Sequence, residues 1–124
     1  MVSIERVALY LVPLAPKTVR IDAIQSFECQ ETIILRIWDT NGASGTGYSY
    51  TIGTGGSSII ALLRDHLVPQ LIGRDPSCIE ALWHDLKMST HATTVGPIIS
   101  LALAAVDTAL WDLRCVSANL PLHV

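Results

Sequence analysis

The stretch from Ile98 to Leu113 restricts the fold of this chain most strongly, because nearly every position in it is apolar. With Pro97 at its start, it predicts a helix that runs to about Val116. Its polar residues are Ser100, Asp107, Thr108 and Asp112. A helix that is hydrophobic on all sides is buried on all sides. The longest apolar run, from Ile98 to Val106 with an interruption at Ser100, is far shorter than the roughly 20 apolar residues that span a bilayer, so we expect burial in protein and no membrane partner.

The composition indicates that apolar surface is covered by something outside this chain. Of 124 residues, 50% are hydrophobic and 15% are charged, with a mean hydropathy of +0.44. A small domain needs more polar surface than this, so another domain or subunit is expected to cover it. The net charge of −3 and the absence of a basic run argue against nucleic acid. Three widely spaced cysteines, with no apolar signal segment, favour reduced thiols in a cytoplasmic protein.

The first 52 residues predict a three-stranded antiparallel meander. The strands are Val2–Leu14, Glu31–Thr40 and Thr46–Ile52, each rich in β-branched, aromatic or alternating residues. An Asn-Gly turn joins the last two strands, and Lys17–Cys29 is expected to be a long connection of mixed polarity.

Helical spacing replaces strand alternation after residue 57. The first helix is expected to take Ser57 or Ser58 as its N-cap, to bend near Pro69 and to stop at Gly73. Asp75-Pro76 then predicts the start of a second helix, and the two helices together cover about residues 57–90. The predicted fold class is α+β, a three-stranded meander followed by a helical bundle.

The segment from Tyr48 to Ser58, YSYTIGTGGSS, contains three glycines in four residues but does not fit a phosphate-binding loop. Gly53 and Gly55 match the start of a dinucleotide fingerprint, whereas Ser58 stands where its third glycine belongs. No Lys-Ser or Lys-Thr follows, and the preceding strand belongs to a hairpin. We therefore interpret the segment as a mobile lid, with Gly53 giving flexibility and Tyr48, Tyr50 and Ile52 offering contacts.

No complete catalytic constellation is visible. Glu80 and His84 share a helix face and could seat a metal, but a solvated surface contact is favoured. Asp107 and Asp112 lie about 140° apart around their helix, so they do not converge on one site. They are expected to bind backbone or arginine partners in the packing.

Three segments resemble the N-terminal capping domain of the enolase superfamily, of the mandelate racemase and muconate lactonizing type. LALAAVDTALWDLRCVSANLPL, residues 101–122, is similar to the family's A-x-D-x-A-L-W-D-L helix and the turn that leads into its barrel. VPQLIGRDP (68–76) resembles its helix–turn–helix link, and NGASGTGYSYT (41–51) the end of its meander. Val116 and Asn119 depart from the usual Lys and Gly, although Asn tolerates the left-handed helix end.

The resemblance implies an enzyme whose chemistry lies outside this chain. Family members abstract a proton α to a carboxylate and use Mg²⁺, with metal ligands and acid/base groups supplied by a (β/α) barrel. That barrel would follow residue 124, so no catalytic residue and no metal ligand is expected here, and the fragment alone should be inactive. Residues 1–96 would form the capping domain, and residues 97–124 the third helix and the start of a linker. The expected activities are acid-sugar dehydratase, racemase or cycloisomerase.

The resemblance also implies that two loops of this chain close over a small carboxylic-acid substrate. They are the connection around Lys17–Ser26 and the glycine-containing segment after Tyr48. The candidate substrate-binding residues are Val19, Ile24, Tyr48, Tyr50, Ile52 and Gly53. Tyr50 would line the pocket, while Val19, Ile24 and Ile52 would form its apolar wall.

Two other interpretations stay open. The chain could be a non-catalytic binding module, or an obligate homodimer in which the apolar third helix is covered by a second copy. The enzyme interpretation also includes a homo-oligomer and the barrel of the same protein as partners. A small nucleotide-binding protein is the weakest alternative, because its fingerprint is broken.

Overall fold

The computed structural model describes all residues from Met1 to Val124 and has the predicted α+β fold. One sheet contains three antiparallel strands in the order β1-β4-β5, and a separate two-stranded hairpin is inserted between β1 and β4. The strands are β1 Ile4–Leu14, β2 Arg20–Ile21, β3 Ser26–Phe27, β4 Gln30–Asp39 and β5 Ser44–Thr51. The helices are α1 Gly56–Leu62, a π-helical turn Leu63–Leu67, α2 Val68–Leu71, α3 Ile79–Ser89, a 3₁₀ turn His91–Thr93 and α4 Pro97–Ser117.

The two faces of the large sheet have different environments. Alternation along β4 directs Ile33, Leu35 and Ile37 to an inner face, where all three are fully buried. The outer face carries no helix of this chain, and the strand register aligns Tyr10, Ile34 and Tyr48 in one row across it. Tyr10 is 48% exposed and Tyr48 is 61% exposed. The helices therefore cover one face of the sheet, and apolar surface stays open on the other.

Helix α4, the third helix of the sequence prediction, lies directly on β5 because two glycines admit it. A Cβ at Gly47 would overlap the carbonyl oxygen of Ala105, and one at Gly45 would overlap that of Ala109. Asp112 secures the same contact, since its Oδ2 accepts a hydrogen bond of 2.8 Å from the Thr46 amide. A packing partner was predicted for Asp112, and the Thr46 amide is that partner.

The inner face of the sheet and one side of α4 share a single hydrophobic core with the other helices. The core comprises Ile4, Ile33, Leu35, Ile37, Ile59, Leu63, Leu67, Leu71, Ile79, Leu82, Leu86, Ile99, Ala102, Leu103, Ala105, Val106, Ala109, Leu110 and Leu113. Within this chain α4 is not buried on all sides, because Ser100, Ala104, Trp111 and Arg114 are exposed. Small residues and Trp111 thus form a side of α4 that this chain leaves uncovered, and its coverage by a partner outside the chain stays a prediction.

The start of α1 differs from the serine-capped helix that the sequence predicted. Gly55 occupies the N-cap position with φ of 98°, and no side chain of the cap residue bonds the helix. The carboxylate of Glu31, which comes from β4, instead accepts a hydrogen bond of 2.6 Å from the Gly56 amide. A long-range carboxylate thus replaces the local hydroxyl of Ser57 or Ser58.

The remaining helix boundaries agree in part with the predictions. A π-helical turn precedes Pro69, as expected where proline disrupts the preceding turn, and Gly73 follows the end of α2 with φ of 81°. Asp75-Pro76 does not begin α3, which starts at Ile79. Asp75 uses its carboxylate in a turn instead, accepting a hydrogen bond of 2.8 Å from the Ser77 amide. Asn119 follows α4 in the left-handed conformation, with φ of 57°.

Candidate functional site

Two loops converge at one end of the large sheet and enclose a cleft of about 460 Å³. The hairpin loop, residues 15–29, contains β2 and β3, and the glycine loop, residues 52–55, connects β5 to α1. The cleft is lined by Pro16, Thr18, Arg20, Phe27, Cys29, Gln30, Tyr50 and Ile52. It is therefore formed by the first loop, the ends of β4 and β5, and the start of the second loop.

Cross-strand pairing in the hairpin loop determines which of its side chains reach the cleft. Arg20 of β2 lies opposite Phe27 of β3, and both line the cleft. The neighbouring residue Ile21 pairs with Ser26, lies outside the lining and is 74% exposed. The turn between the strands is held by Asp22, whose Oδ1 accepts hydrogen bonds from the amides of Ile24 and Gln25 at 2.7 and 2.9 Å. These bonds lower the pKa of the Asp22 carboxyl.

The sheet contributes two polar side chains to the cleft, those of Tyr50 and Gln30. Tyr50 of β5 and Thr32 of β4 are cross-strand partners, and Gln30 lies two residues before Thr32 on the same strand. Gln30 donates a hydrogen bond of 3.2 Å from Nε2 to the Thr32 hydroxyl, which fixes the orientation of its amide. Tyr50 is 48% exposed, so its ring is partly supported by the sheet and partly open to a ligand.

One carboxylate holds both ends of the glycine loop. Oε2 of Glu31 accepts hydrogen bonds from the Thr51 hydroxyl at 3.0 Å and from the Gly56 amide at 2.6 Å. Between these anchors, Gly53 and Gly55 have positive φ angles of 85° and 98°. A side chain at Gly56 would overlap the Glu31 carboxylate. The loop therefore has fixed ends and, at Gly53 and Gly55, a backbone conformation that favours glycine.

The structure brings two of the six candidate binding residues, Tyr50 and Ile52, to the cleft. Val19, Ile24, Tyr48 and Gly53 lie outside its lining; Ile24 is 90% exposed near the tip of the hairpin loop. A role of these residues in binding stays a prediction. Arg20, Phe27 and Gln30 line the cleft but were not among the predicted binding residues. The alternation of Thr18 and Arg20 was the available signal, but it becomes informative only once β2 is recognised as a strand.

The carboxylates and histidines are dispersed over the molecule. No group of three or more His, Cys, Asp or Glu side chains is placed to hold a metal ion, so the residues of this chain do not fit a metal centre. Glu80 and His84 are both exposed. Asp107 is partly buried, and this burial raises the pKa of its carboxyl. The three cysteines are free, and no helix is both long enough and apolar enough to cross a membrane.

The family model for the N-terminal domain of mandelate racemase and muconate lactonizing enzyme matches residues 6–124. The chain belongs to this family. A 3,6-anhydro-α-L-galactonate cycloisomerase of Streptomyces coelicolor is 35% identical over 124 residues, which cover 98% of this chain and 34% of that protein. A D-galactonate dehydratase family member of Halomonas elongata is 37% identical over 91 residues, covering 73% of this chain and 22% of the relative. This capping domain spans about a third or less of the length of these relatives.

Solved structures show the same fold for the capping domain. A racemase from Streptomyces coelicolor with bound magnesium superposes with a TM-score of 0.89 at 34% identity, covering 93% of this chain and 32% of the other. An L-talarate dehydratase from Polaromonas sp. JS666, complexed with Mg and L-glucarate, superposes with a TM-score of 0.88 at 29% identity, covering 95% of this chain and 33% of the other. The capping domain thus matches one part of larger proteins, several of which carry names of acid-sugar enzymes.

Proposed function

We propose that this chain is the substrate-specificity cap of a larger enzyme that abstracts a proton α to the carboxylate of a small acid sugar. The observation that carries the proposal is the cleft itself, in which two loops present Tyr50, Gln30 and Arg20 beside the apolar surface of Phe27 and Ile52. Such a mixture of hydrogen-bond donors and apolar walls suits a polyhydroxylated acid. Dehydration is the favoured reaction, ahead of racemisation and cycloisomerisation, because dehydratases are frequent among the relatives.

The chemistry is proposed to reside in a barrel domain outside these 124 residues. This chain offers no cluster for a metal, so Mg²⁺ and the acid/base groups would be held by the barrel. The role of the cap would be to bind and orient the far end of the substrate and to exclude water. The Tyr50 hydroxyl would donate a hydrogen bond to a substrate oxygen, and Ile52 would pack against the carbon chain. Val19, Ile24, Tyr48 and Gly53 would complete the closure after the barrel docks.

The cellular location and the oligomeric state of the enzyme are part of the same proposal. A cytoplasmic location accords with three free cysteines, and a homo-oligomer with the exposed row of Tyr10, Ile34 and Tyr48 on the outer face of the sheet. That row also favours the second candidate function, a non-catalytic module that pairs through this face. The intact mass of the endogenous protein separates the candidates: about three times the 13.4 kDa of this chain agrees with coverage of a third of each relative.

Tyr50→Phe tests the catalytic proposal in the full-length protein with Mg²⁺ and a panel of acid sugars. We expect kcat/KM to fall by about tenfold to a few hundredfold, the effect of losing one hydrogen bond to a charged group. Tyr10→Phe is the matched control, because Tyr10 lies on the same sheet face but does not line the cleft. Unchanged kinetics of Tyr50→Phe on every substrate would refute its role. Turnover by the 124-residue chain alone would refute the assignment of chemistry to the barrel.

A further inference from the structure

Arg20 gives the cleft a positive charge that no acidic residue of the lining balances. The eight lining residues include one arginine and no aspartate or glutamate. The two ion pairs of the structure join Arg64 to Asp65 and Arg74 to Asp85, so neither involves Arg20. The guanidinium also makes no hydrogen bond to another side chain of the chain.

The acidic residues nearest in sequence are occupied or placed elsewhere. Asp22 bonds the amides of its own turn through Oδ1. Glu31 uses Oε2 to hold Thr51 and Gly56 at the base of the glycine loop. Glu28 is exposed and lies outside the lining. An unneutralised guanidinium in a concave site, with no competing carboxylate in the lining, is suited to an anionic group of a ligand.

The hairpin fixes the position of this charge. Backbone pairing of Arg20 with Phe27 directs both side chains to the cleft, and the bonds of Asp22 close the turn beyond them. Gln30, held by its bond to Thr32, and Tyr50 lie on the sheet side of the same cleft. The arginine and the neutral polar groups thus face a common space, as recognition of one anionic group at the end of a hydroxylated chain requires.

Abstraction of a proton α to a carboxylate already assigns one carboxylate of the substrate to the catalytic centre. A positive charge in the cap then calls for a second anionic group at the opposite end of the same molecule. We infer that the substrate is a diacid sugar, an aldarate, whose distal carboxylate is bound by Arg20. This inference rests on the proposed function. It distinguishes between two kinds of relative, those named for monoacids such as D-galactonate and one solved with the diacid L-glucarate.

The test compares hexarates with hexonates of matched configuration, such as galactarate and galactonate, which differ only in a carboxylate or a hydroxymethyl group at the far end. In the full-length protein with Mg²⁺, we expect kcat/KM for the preferred hexarate to exceed that of its hexonate by about tenfold or more. Arg20→Gln should lower kcat/KM for the hexarate by about 10- to 100-fold and change that for the hexonate by less than about twofold. Arg20→Lys should recover part of the loss.

Arg36→Gln is the matched control. Arg36 is exposed on β4, about 20 Å along the strand from Gln30, and donates a hydrogen bond to Ser44 at 3.0 Å rather than lining the cleft. Removing the same charge there should leave the ratio of hexarate to hexonate kinetics unchanged. Equal effects of Arg20→Gln and Arg36→Gln would show that net charge alone acts, and would overturn the inference.

Calorimetric titration of the same acids into wild-type and Arg20→Gln protein supplies a readout that does not depend on turnover. Hexarate binding that weakens selectively in Arg20→Gln supports the inference even if no acid is turned over, in which case the proposed function alone fails. Turnover with a hexonate preferred, or an equal loss for both acids in Arg20→Gln, overturns the inference and leaves the proposed function standing. Absence of both turnover and Arg20-dependent binding overturns both.

Discussion

Gly47→Ala is expected to disrupt the contact between β5 and α4 and thereby the whole core. A methyl group at this position would overlap the carbonyl oxygen of Ala105 and come within 2.6 Å of the Ala109 nitrogen. Both neighbours are backbone atoms of a 21-residue helix, so no side-chain rotation can relieve the overlap. Ordinary van der Waals contact begins near 3.4 Å, and the helix would have to move away from the strand by about 1 Å or more to restore it.

The expected loss of unfolding free energy follows from the core contacts that are weakened when α4 moves away from β5. Helix α4 contributes eight buried residues to the core, and overpacking a well-packed interior typically costs about 1–3 kcal/mol. Because the clash is with backbone on both sides, we place the loss of unfolding free energy for Gly47→Ala near 3 kcal/mol or above. For a domain of this size such a loss lowers the Tm by roughly 10 °C or more. Urea and thermal unfolding followed by circular dichroism would measure it.

Gly96→Ala is the matched control for the same chemical change. Gly96 has an ordinary extended backbone with φ of −150°, and the nearest atom to an added Cβ, the Thr93 carbonyl oxygen, is 3.5 Å away. Gly96 is the N-cap of α4, where alanine is a poorer residue than glycine, so its substitution should lower the unfolding free energy by no more than about 1 kcal/mol. If Gly47→Ala lost less than about 1 kcal/mol, or no more than Gly96→Ala, the claim that Gly47 admits the helix backbone would be refuted.

Two further substitutions test the carboxylates. Glu31→Gln should weaken the hydrogen bonds to Thr51 and Gly56 and lower the unfolding free energy by about 1–2 kcal/mol. It should also speed hydrogen exchange at the Gly56 amide. Equal exchange rates of this amide in Glu31→Gln and in the exposed control Glu28→Gln would contradict the prediction. Burial raises the pKa of Asp107 above its ordinary 3.8, so the folded state holds that proton more tightly and stability falls as pH rises through this range. Asp107→Asn should therefore gain stability relative to wild type between pH 3 and pH 7, measured by urea unfolding at both pH values, and a constant difference would exclude the effect.

Local sequence patterns were sufficient for the three strands of the large sheet, for the end of α2 and for most of α4. Alternation along β4 and the apolar run after Pro97 indicate burial directly, and Gly73 indicates a left-handed backbone at the helix end. The Asn-Gly turn was predictable for the same reason, and Asp39 supports it by accepting hydrogen bonds from the amides of Asn41 and Ala43 at 2.9 Å each. In each of these cases the cause lies within a few residues of its effect.

The predictions failed where a distant residue replaced a local one. Ser57 and Ser58 were reasonable caps for α1, but Glu31, 25 residues before Gly56, occupies that role. No local signal in the sequence indicates the packing role of Gly45 and Gly47, because that role depends on a helix more than 50 residues later. The short pairing of Arg20 with Phe27 was invisible to periodicity because two residues do not form a pattern. The cleft therefore could be located only approximately, with Tyr50 and Ile52 identified and Arg20 missed.

The residues that build the fold and those proposed to select the substrate occupy separate faces. The inner face of the sheet packs directly on α4 and leaves no buried side-chain nitrogen or oxygen unsatisfied. Gly47→Ala acts on stability because an added Cβ would overlap the backbone of α4. Arg20 is exposed and Tyr50 is half exposed, and neither belongs to the core. Exposed substitutions away from caps and cores usually change stability by less than about 0.5 kcal/mol. Changes at Arg20 and Tyr50 should consequently alter kinetics without a matching shift in Tm, because neither side chain contributes to the packing between the sheet and the helices.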